Sequence, residues 1–528
     1  MNCSNSRVSI ARDDRPSRLS PPMREAVRTA IVLLISLLSF TASDACPPLA
    51  DGTSWRSPLS PSGAVRVSEL LTDAASSPAP AAYPLKPSAN NRYLVDSKGK
   101  PFLMVGDAPQ ALIANLSELQ AAEFMTNRRK YGFNTLWINL LCRFPEVCRN
   151  DGNTSDAIAP FNVSGDLSTP NSAYFERADR IMDIAKENGF LVLLDPIETA
   201  GWLEILRANG VAKDFAFGAY LGERYKKFPN IIWLHGNDFQ SWRNPADDRL
   251  VRAVAQGIKS KDTSHLHTIE LDYLTSASLD NDAWRSLVDL DAAYTYFPTY
   301  AQVLAEYNRA HFKPVFLVEA NYEFEQNPNT DGGSTQNLRR QEYWTMLSGA
   351  TGLVYGSAYT WPLQKGWETK LDTPGAVQLC HMRNLFAPRK WYDLVPDQDH
   401  TVVTSGYHGI AGYIGKSWAF LRRYAFLDRH KDLIGGSVTT NTFAPAARTP
   451  DGTLVMAYLP TAREITVDMT KLAGPSTARW YDPTDGHYME LNGSPFPNSG
   501  SRQFASPERN SSGDADWVLV LEVLPPRI

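Results

Sequence analysis

This 528-residue sequence predicts an α/β fold, a (β/α)8 TIM barrel followed by an all-β sandwich domain. Three observations carry the prediction. Short apolar runs alternate with amphipathic stretches eight times between residues 100 and 390, which matches a barrel in count and size. Helical periodicity then fades, and from 401 onward strand-like segments are punctuated by Asp-Gly, Asn-Gly and Ser-Gly turns at 451–452, 492–493 and 512–513. Hydrophobic residues are 43% and charged residues 21%, a globular balance that excludes wholesale disorder. A doubly wound open sheet is the competing architecture, but it does not normally need eight strands, and the phosphate-binding loops GxGxxG and GxxxxGK[ST] are both missing.

The first 45 residues read as a secretory signal. Residues 30–40 form an apolar run of eleven, too short to span a bilayer. Arg24 and Arg28 precede it, and Ser43 and Ala45 fit the small-x-small rule for cleavage after Ala45. Met23 begins a conventional signal and is a candidate start. Asp44 fits a lipobox poorly, so no lipid anchor is expected at Cys46. The expected destination is secreted or periplasmic, and no later segment is long and apolar enough to span a membrane. Residues 46–89, rich in Ser, Pro and Ala, read as a linker.

The catalytic-sized domain is placed at 90–400. It opens with a hairpin turning at 97–100. Strands are expected at 102–107, 134–141, 191–196, 231–238, 266–272, 290–297, 314–320 and 352–357, and helices at 117–131, 173–188, 211–228, 245–260, 299–310, 338–350 and 376–388. The sandwich is placed at 401–528, with strands at 401–407, 411–415, 418–426, 452–459, 464–469, 478–483 and 517–523.

Thirteen Trp, 22 Tyr and 22 Phe with a net charge of −5 suit a protein whose flat rings stack on sugars, or simply one with a large core. A nucleic-acid partner relying on a broad basic surface is excluded. No cofactor is expected, and no metal: HExxH and CxxC are missing, and His265 and His267 have the spacing of a structural strand pair. Cys142 and Cys148 bracket a short loop and either bridge, anchoring the 142–172 insertion beside the cleft, or fill space as small apolar side chains.

Reactive groups of a barrel stand at the C-terminal strand ends. The carboxylates there are Asp107, Asp195, Asp238, Asp272 and Glu319, on the first, third, fourth, fifth and seventh strands. Aromatics share the rim: Trp202 after the third, Tyr294 and Tyr296 on the sixth, and Tyr355, Tyr359 and Trp361 after the eighth. Paired acids among aromatic rings suit glycosidic bond cleavage, where one carboxyl protonates the leaving oxygen and the other attacks the anomeric carbon or activates water. The fourth and seventh strands face each other, so Asp238, next to Asn237, is assigned as general acid/base and Glu319 as nucleophile. Retention is expected, although the shorter Asp widens the gap. The alternative for any one of these acids is a helix cap or an arginine partner. Asp107 is read as a sugar ligand or an N-cap, and Asp195 as a sugar ligand or a brace for its loop. Asn237, Trp202, Tyr296, Tyr355 and Trp361 complete the expected substrate-binding set.

The segments YGFNTLWINLL, FPNIIWLHGND, FLVEANYE and GLVYGSAYTW resemble the apiosidase-like catalytic domain, a (β/α)8 group that includes glycoside hydrolase family 140. ARWYDPTDGHY and FASPERNSSGDADWVLVLE resemble the module named a putative collagen-binding domain. The resemblance spans about 430 residues and places a catalytic Asp on Asp238 and a catalytic Glu on Glu319. It implies a polysaccharide or oligosaccharide substrate, such as a pectic side chain. One departure concerns the pocket: Pro109 and Gln110 follow Gly-Asp where such proteins carry an aromatic, so apiose specificity does not come with the likeness. The reading from a different class is a non-catalytic carbohydrate- or matrix-binding barrel, against which stands the presence of both acids.

Overall fold

The computed structural model describes residues 81–407, apart from 329, and 436–523. A small antiparallel sheet comes first, β1 (Lys86–Pro87), β2 (Leu94–Val95) and β3 (Pro101–Phe102). β1 lies within the stretch read as linker. It is ordered because Leu85, Leu94 and Phe102 are buried in the same cluster as the side chains inside the barrel, closing its lower end.

The barrel strands are β4 (Met104–Asp107), β5 (Thr135–Asn139), β6 (Leu191–Asp195), β7 (Ile231–Phe239), β8 (Leu266–Leu271), β10 (Asp291–Thr295), β11 (Val315–Glu319) and β12 (Gly352–Tyr355). All eight fall where the apolar runs predicted them. Each is parallel to its hydrogen-bonded neighbour, and β12 pairs with β4 to bring the sheet round. The sheet is nearly closed. Between β8 and β10 a short strand, β9 (Thr275–Ala277), runs antiparallel to β10. The Ser278 hydroxyl stitches this seam, donating to the Ile269 carbonyl (2.6 Å) and accepting from the Ala292 amide (2.9 Å).

Outside lie α1 (Leu112–Asn115), α2 (Glu118–Lys130), α3 (Ser172–Glu187), α4 (Thr199–Tyr225), α5 (Pro245–Lys259), α6 (Thr299–Tyr307), α7 (Thr335–Leu347) and α8 (Pro374–Phe386). A Ser117–Gln120 capping box starts α2, and Asn244 with Pro245 starts α5, as their sequences favour. α4 begins twelve residues before the expected 211. Gly210 interrupts it at φ 76°, so only the second segment shows in the helical periodicity. No helix of the described residues is long and apolar enough to cross a membrane.

The C-terminal domain has two antiparallel sheets. One has the order β13 (Val395–Pro396), β15 (Ala446–Arg448), β16 (Leu454–Leu459), β21 (Trp517–Val523), β18 (Ser476–Tyr481), β19 (Tyr488–Glu490). The other is β14 (Val403–Ser405), β17 (Glu464–Asp468), β20 (Ser501–Ala505). The strands expected at 411–415 and 418–426 lie outside the described residues. The larger sheet packs on α7 of the barrel: Tyr343 stacks on Tyr458 at 4.9 Å, and buried Arg339 grips Asp516 through two 2.8 Å bonds.

Candidate active site

Side chains along β4–β12 alternate between the barrel interior and the helix layer. The interior set at the C-terminal end includes Asn139, Asp195, Glu270 and Tyr294, and the register pairs Asn139 with Asp195 and Tyr294 with Glu319. At the end of β7 alternation breaks. Gly236, Asn237 and Asp238 have φ of 107°, 61° and 54°, a left-handed run uncommon for side-chain-bearing residues. It lets two neighbouring residues face the same mouth. The Thr199 hydroxyl reaches the Gly236 and Asn237 carbonyls (2.6 and 3.1 Å), and the Asp238 amide donates to Glu270 Oε2 (3.1 Å).

Asp238 and Glu319 meet on one phenol. Tyr294 Oη lies 2.8 Å from Asp238 Oδ1 and 2.8 Å from Glu319 Oε1. Those two oxygens are therefore no farther apart than 5.6 Å, the two contacts laid end to end. Tyr296 also donates to Glu319 Oε1 (3.0 Å) and Tyr322 to Oε2 (2.7 Å). The network continues through Gln110 Nε2 to Tyr322 Oη (3.2 Å), Asn237 Nδ2 to Gln110 Oε1 (3.4 Å), Asn139 Nδ2 to Asn237 Oδ1 (3.1 Å) and Trp137 Nε1 to Asn139 Oδ1 (3.1 Å). Gln110 thus links the Asn237–Asp238 turn to a tyrosine holding Glu319.

Burial raises both acids, Asp238 to about 6 and Glu319 to about 8, with the Asp238 charge adding to the shift of Glu319. That order is opposite to the assigned roles, since a nucleophile must be the ionised member. The hydrogen bonds favour the opposite order. Tyr294 has one proton to offer two carboxyl oxygens, and a carboxyl proton donated to the phenol would complete the second contact. Glu319 has two further phenol donors, Tyr296 and Tyr322, so its charge is the better supported of the two. With one phenol shared, the two ionisations belong to the pair rather than to either residue.

Of the other expected residues, Trp361 stands at the rim, edge-on to Phe144 at 5.4 Å and bonded through its side chain to Glu325. Asp195 faces the interior, but its Oδ1 accepts from the Ile197 amide (3.0 Å) and so braces its own loop. Asp272 pairs with Arg243 at 3.3 Å. Three expectations fail for a single reason, side-chain direction. Asp107 points out of the barrel into a buried ion pair with Arg128 (2.5 Å), and neither caps a helix nor reaches the mouth. Tyr355 points the same way and bonds Glu323 and Thr373. Trp202 is buried under the 142–172 insertion, edge-on to Phe161 at 5.9 Å and against Gly152.

Four residues escaped the sequence reading. They are Glu270; Tyr322, three residues beyond Glu319; Tyr273, tilted against Tyr296 at 5.4 Å; and Glu325, which burial and the Asp238 charge raise to about 7. Interior parity on β8 could have found Glu270. The two in the loop after β11 carry no sequence signal.

Cys142 and Cys148 are bridged, with Cα atoms 5.8 Å apart. The loop they close is tied to the segment after β12 by Asn115, which donates to the Val147 and Pro362 carbonyls (3.0 and 2.8 Å).

Residues 88–393 match the family described as "Apiosidase-like, catalytic domain", and residues 431–522 match "Putative collagen-binding domain of a collagenase". A solved structure described as a glycoside hydrolase is similar at a TM-score of 0.68 and 21% identity, covering 84% of this chain and 97% of its own. A glycoside hydrolase family 5 protein from Bacteroides vulgatus ATCC 8482 is similar at 0.67 and 21%, covering 83% and 93%. No curated protein matches the chain by sequence.

Proposed function

We propose, from the premise that this chain belongs to the apiosidase-like family of glycoside hydrolases, that it is a secreted enzyme which cleaves glycosidic bonds in plant or microbial polysaccharide, pectic side chains among them, with retention. The observation that carries the mechanism is the single phenol between Asp238 and Glu319. It limits their nearest oxygens to 5.6 Å, close to the about 5–5.5 Å of retaining pairs and short of the about 6.5–9.5 Å that an inverting water needs.

In the first step the Glu319 carboxylate attacks the anomeric carbon. The bond to the leaving oxygen breaks, and that oxygen takes the Asp238 proton. In the second, Asp238, now a carboxylate, takes a proton from water. The water oxygen bonds the anomeric carbon and Glu319 leaves with its electron pair. Three phenols around Glu319 hold its charge before attack and after release. The half-exposed rings of Tyr273 and Trp361 give the sugar faces to lie against. Secretion is supported by the apolar run at 30–40 and by the Cys142–Cys148 bridge, which belongs to oxidising compartments.

The test is a panel of aryl glycosides and a pectin digest. Glu319→Gln should lose nearly all turnover on every substrate. Asp238→Ala should fail on poor leaving groups, keep much of its activity on activated aryl glycosides, and be rescued by azide with retained configuration in the azide product. A folded Glu319→Gln with near-normal turnover, or an inverted first-formed sugar by NMR, would remove this mechanism.

A further inference from the structure

Glu270 lies inside the barrel on β8, fully buried, one interior position above Thr268. Its Oε2 accepts the Asp238 amide at 3.1 Å, and its Oε1 has no partner among the described residues. The groups facing it are Asp238 from β7, Glu319 from β11, Asp195 from β6, and the phenols of Tyr294 and Tyr322. No cation stands among them.

The Asp238 amide matters because of the conformation there. Three left-handed residues in succession aim Asp238 at Tyr294, and such a turn persists only when its surroundings hold it. Thr199 holds the Gly236 and Asn237 carbonyls from the helix side. Glu270 holds the amide from the barrel side. The approach is tight as well: a Cβ on Gly236 would come within 2.1 Å of the Glu270 carbonyl oxygen, so the backbone of β8 fixes one end of the turn and the Glu270 side chain the other.

We propose that Glu270 is a positioning residue for the hydrolytic pair, accepting the Asp238 amide and so keeping the acid/base carboxyl on Tyr294 and within reach of the leaving oxygen. It does this as an uncharged acid. A carboxylate there would be fully buried beside three other acids, with no cation facing it among the described residues, and burial together with the Glu319 and Asp238 charges raises it well above its ordinary range. The inference rests on the assignment of Asp238 as acid/base.

Glu270→Gln keeps an acceptor oxygen of the same reach, and Glu270→Leu removes it at similar volume. The Gln variant should keep kcat/KM within about threefold and leave both limbs of the pH profile in place. The Leu variant should lose about tenfold or more in kcat on poor leaving groups, as misplaced catalytic groups do, with little change in KM and a much smaller loss on activated aryl glycosides. A merely structural role would lower both substrate classes alike.

The idea is overturned if Glu270→Leu affects the two classes equally or neither, or if Glu270→Gln moves the alkaline limb downward, which would show that a negative charge had been removed. The Gln arm stands alone if the Leu variant does not fold. If Asp238→Ala itself shows no dependence on leaving group, the acid/base assignment has failed. If Asp238→Ala shows it and Glu270→Leu does not, only the positioning role has.

Discussion

Tyr294→Phe isolates the contact on which the mechanism turns. The side chain is fully buried, and the change removes one oxygen that lies 2.8 Å from each acid. A hydrogen bond to a charged group contributes about 1.5–3 kcal/mol. If Glu319 is the anion, kcat/KM should fall by about 10- to 150-fold. The pH profile gives the sign. Loss of a donor to an anion raises the pKa of that group, so the acid limb, which reports ionisation of Glu319, should move to higher pH. Tyr296 and Tyr322 still donate to it at 3.0 and 2.7 Å, which keeps the shift to about one unit, or 1.36 kcal/mol. The assay is kcat/KM on an activated aryl glycoside across pH, with thermal melting to show that the variant folds. An unchanged kcat/KM, or an acid limb that moves down, would refute the reasoning.

In the unaltered protein kcat/KM should be bell-shaped, because activity needs exactly one proton on the pair, with limbs near about 6 and about 8; a single-limbed profile between pH 4 and 10 would contradict a shared proton. Arg128→Met should destabilise the fold by about 3–5 kcal/mol in denaturant unfolding at neutral pH, since it leaves Asp107 as an uncompensated buried charge. That loss should shrink as pH falls, because protonation of Asp107 removes the charge. Cys142→Ser with Cys148→Ser should cost about 2 kcal/mol, the loop-closure value for so short a ring, and should raise KM more than it lowers kcat, because the loop packs Phe144 on Trp361.

Much of the barrel was legible because its signal is repetitive: eight apolar runs of strand length separated by helix-length stretches leave few alternatives. That Asp238 and Glu319 stand at one mouth was legible for a related reason, since each ends such a run. The rest depends on contacts that have no local signature. The seam beside β8 is closed by the Ser278 and Thr268 hydroxyls and by the His267 carbonyl, which accepts the Asp289 amide. The double helix of α4 is set by one glycine. Tyr322 and Glu325 are brought to the mouth by a loop whose course is fixed partly by Glu323, which accepts from the Gly375 amide (2.8 Å) and the Thr373 hydroxyl (2.6 Å) at the start of α8.

Two of the three misplaced residues, Asp107 and Tyr355, share one physical cause. Parallel barrel strands are apolar on both faces, so an apolar run gives a strand's position but not which of its residues point inward. Asp107 and Tyr355 are register partners, so an error of parity at one is an error at both: together they face α2 and α8, beside Arg128 and Glu323. On β8 the polar residues could have given the parity, because Leu266, Thr268 and Glu270 alternate with His267, Ile269 and Leu271, and the first set faces in. On β7 parity cannot be read at all. Alternation would send Asn237 and Asp238 to opposite sides, yet Asn237 bonds Asn139 and Asp238 bonds Tyr294, both inside. Two adjacent polar residues can share the interior only through a bulge. Gly236, at φ 107° and hard against the Glu270 carbonyl, is the residue that permits it.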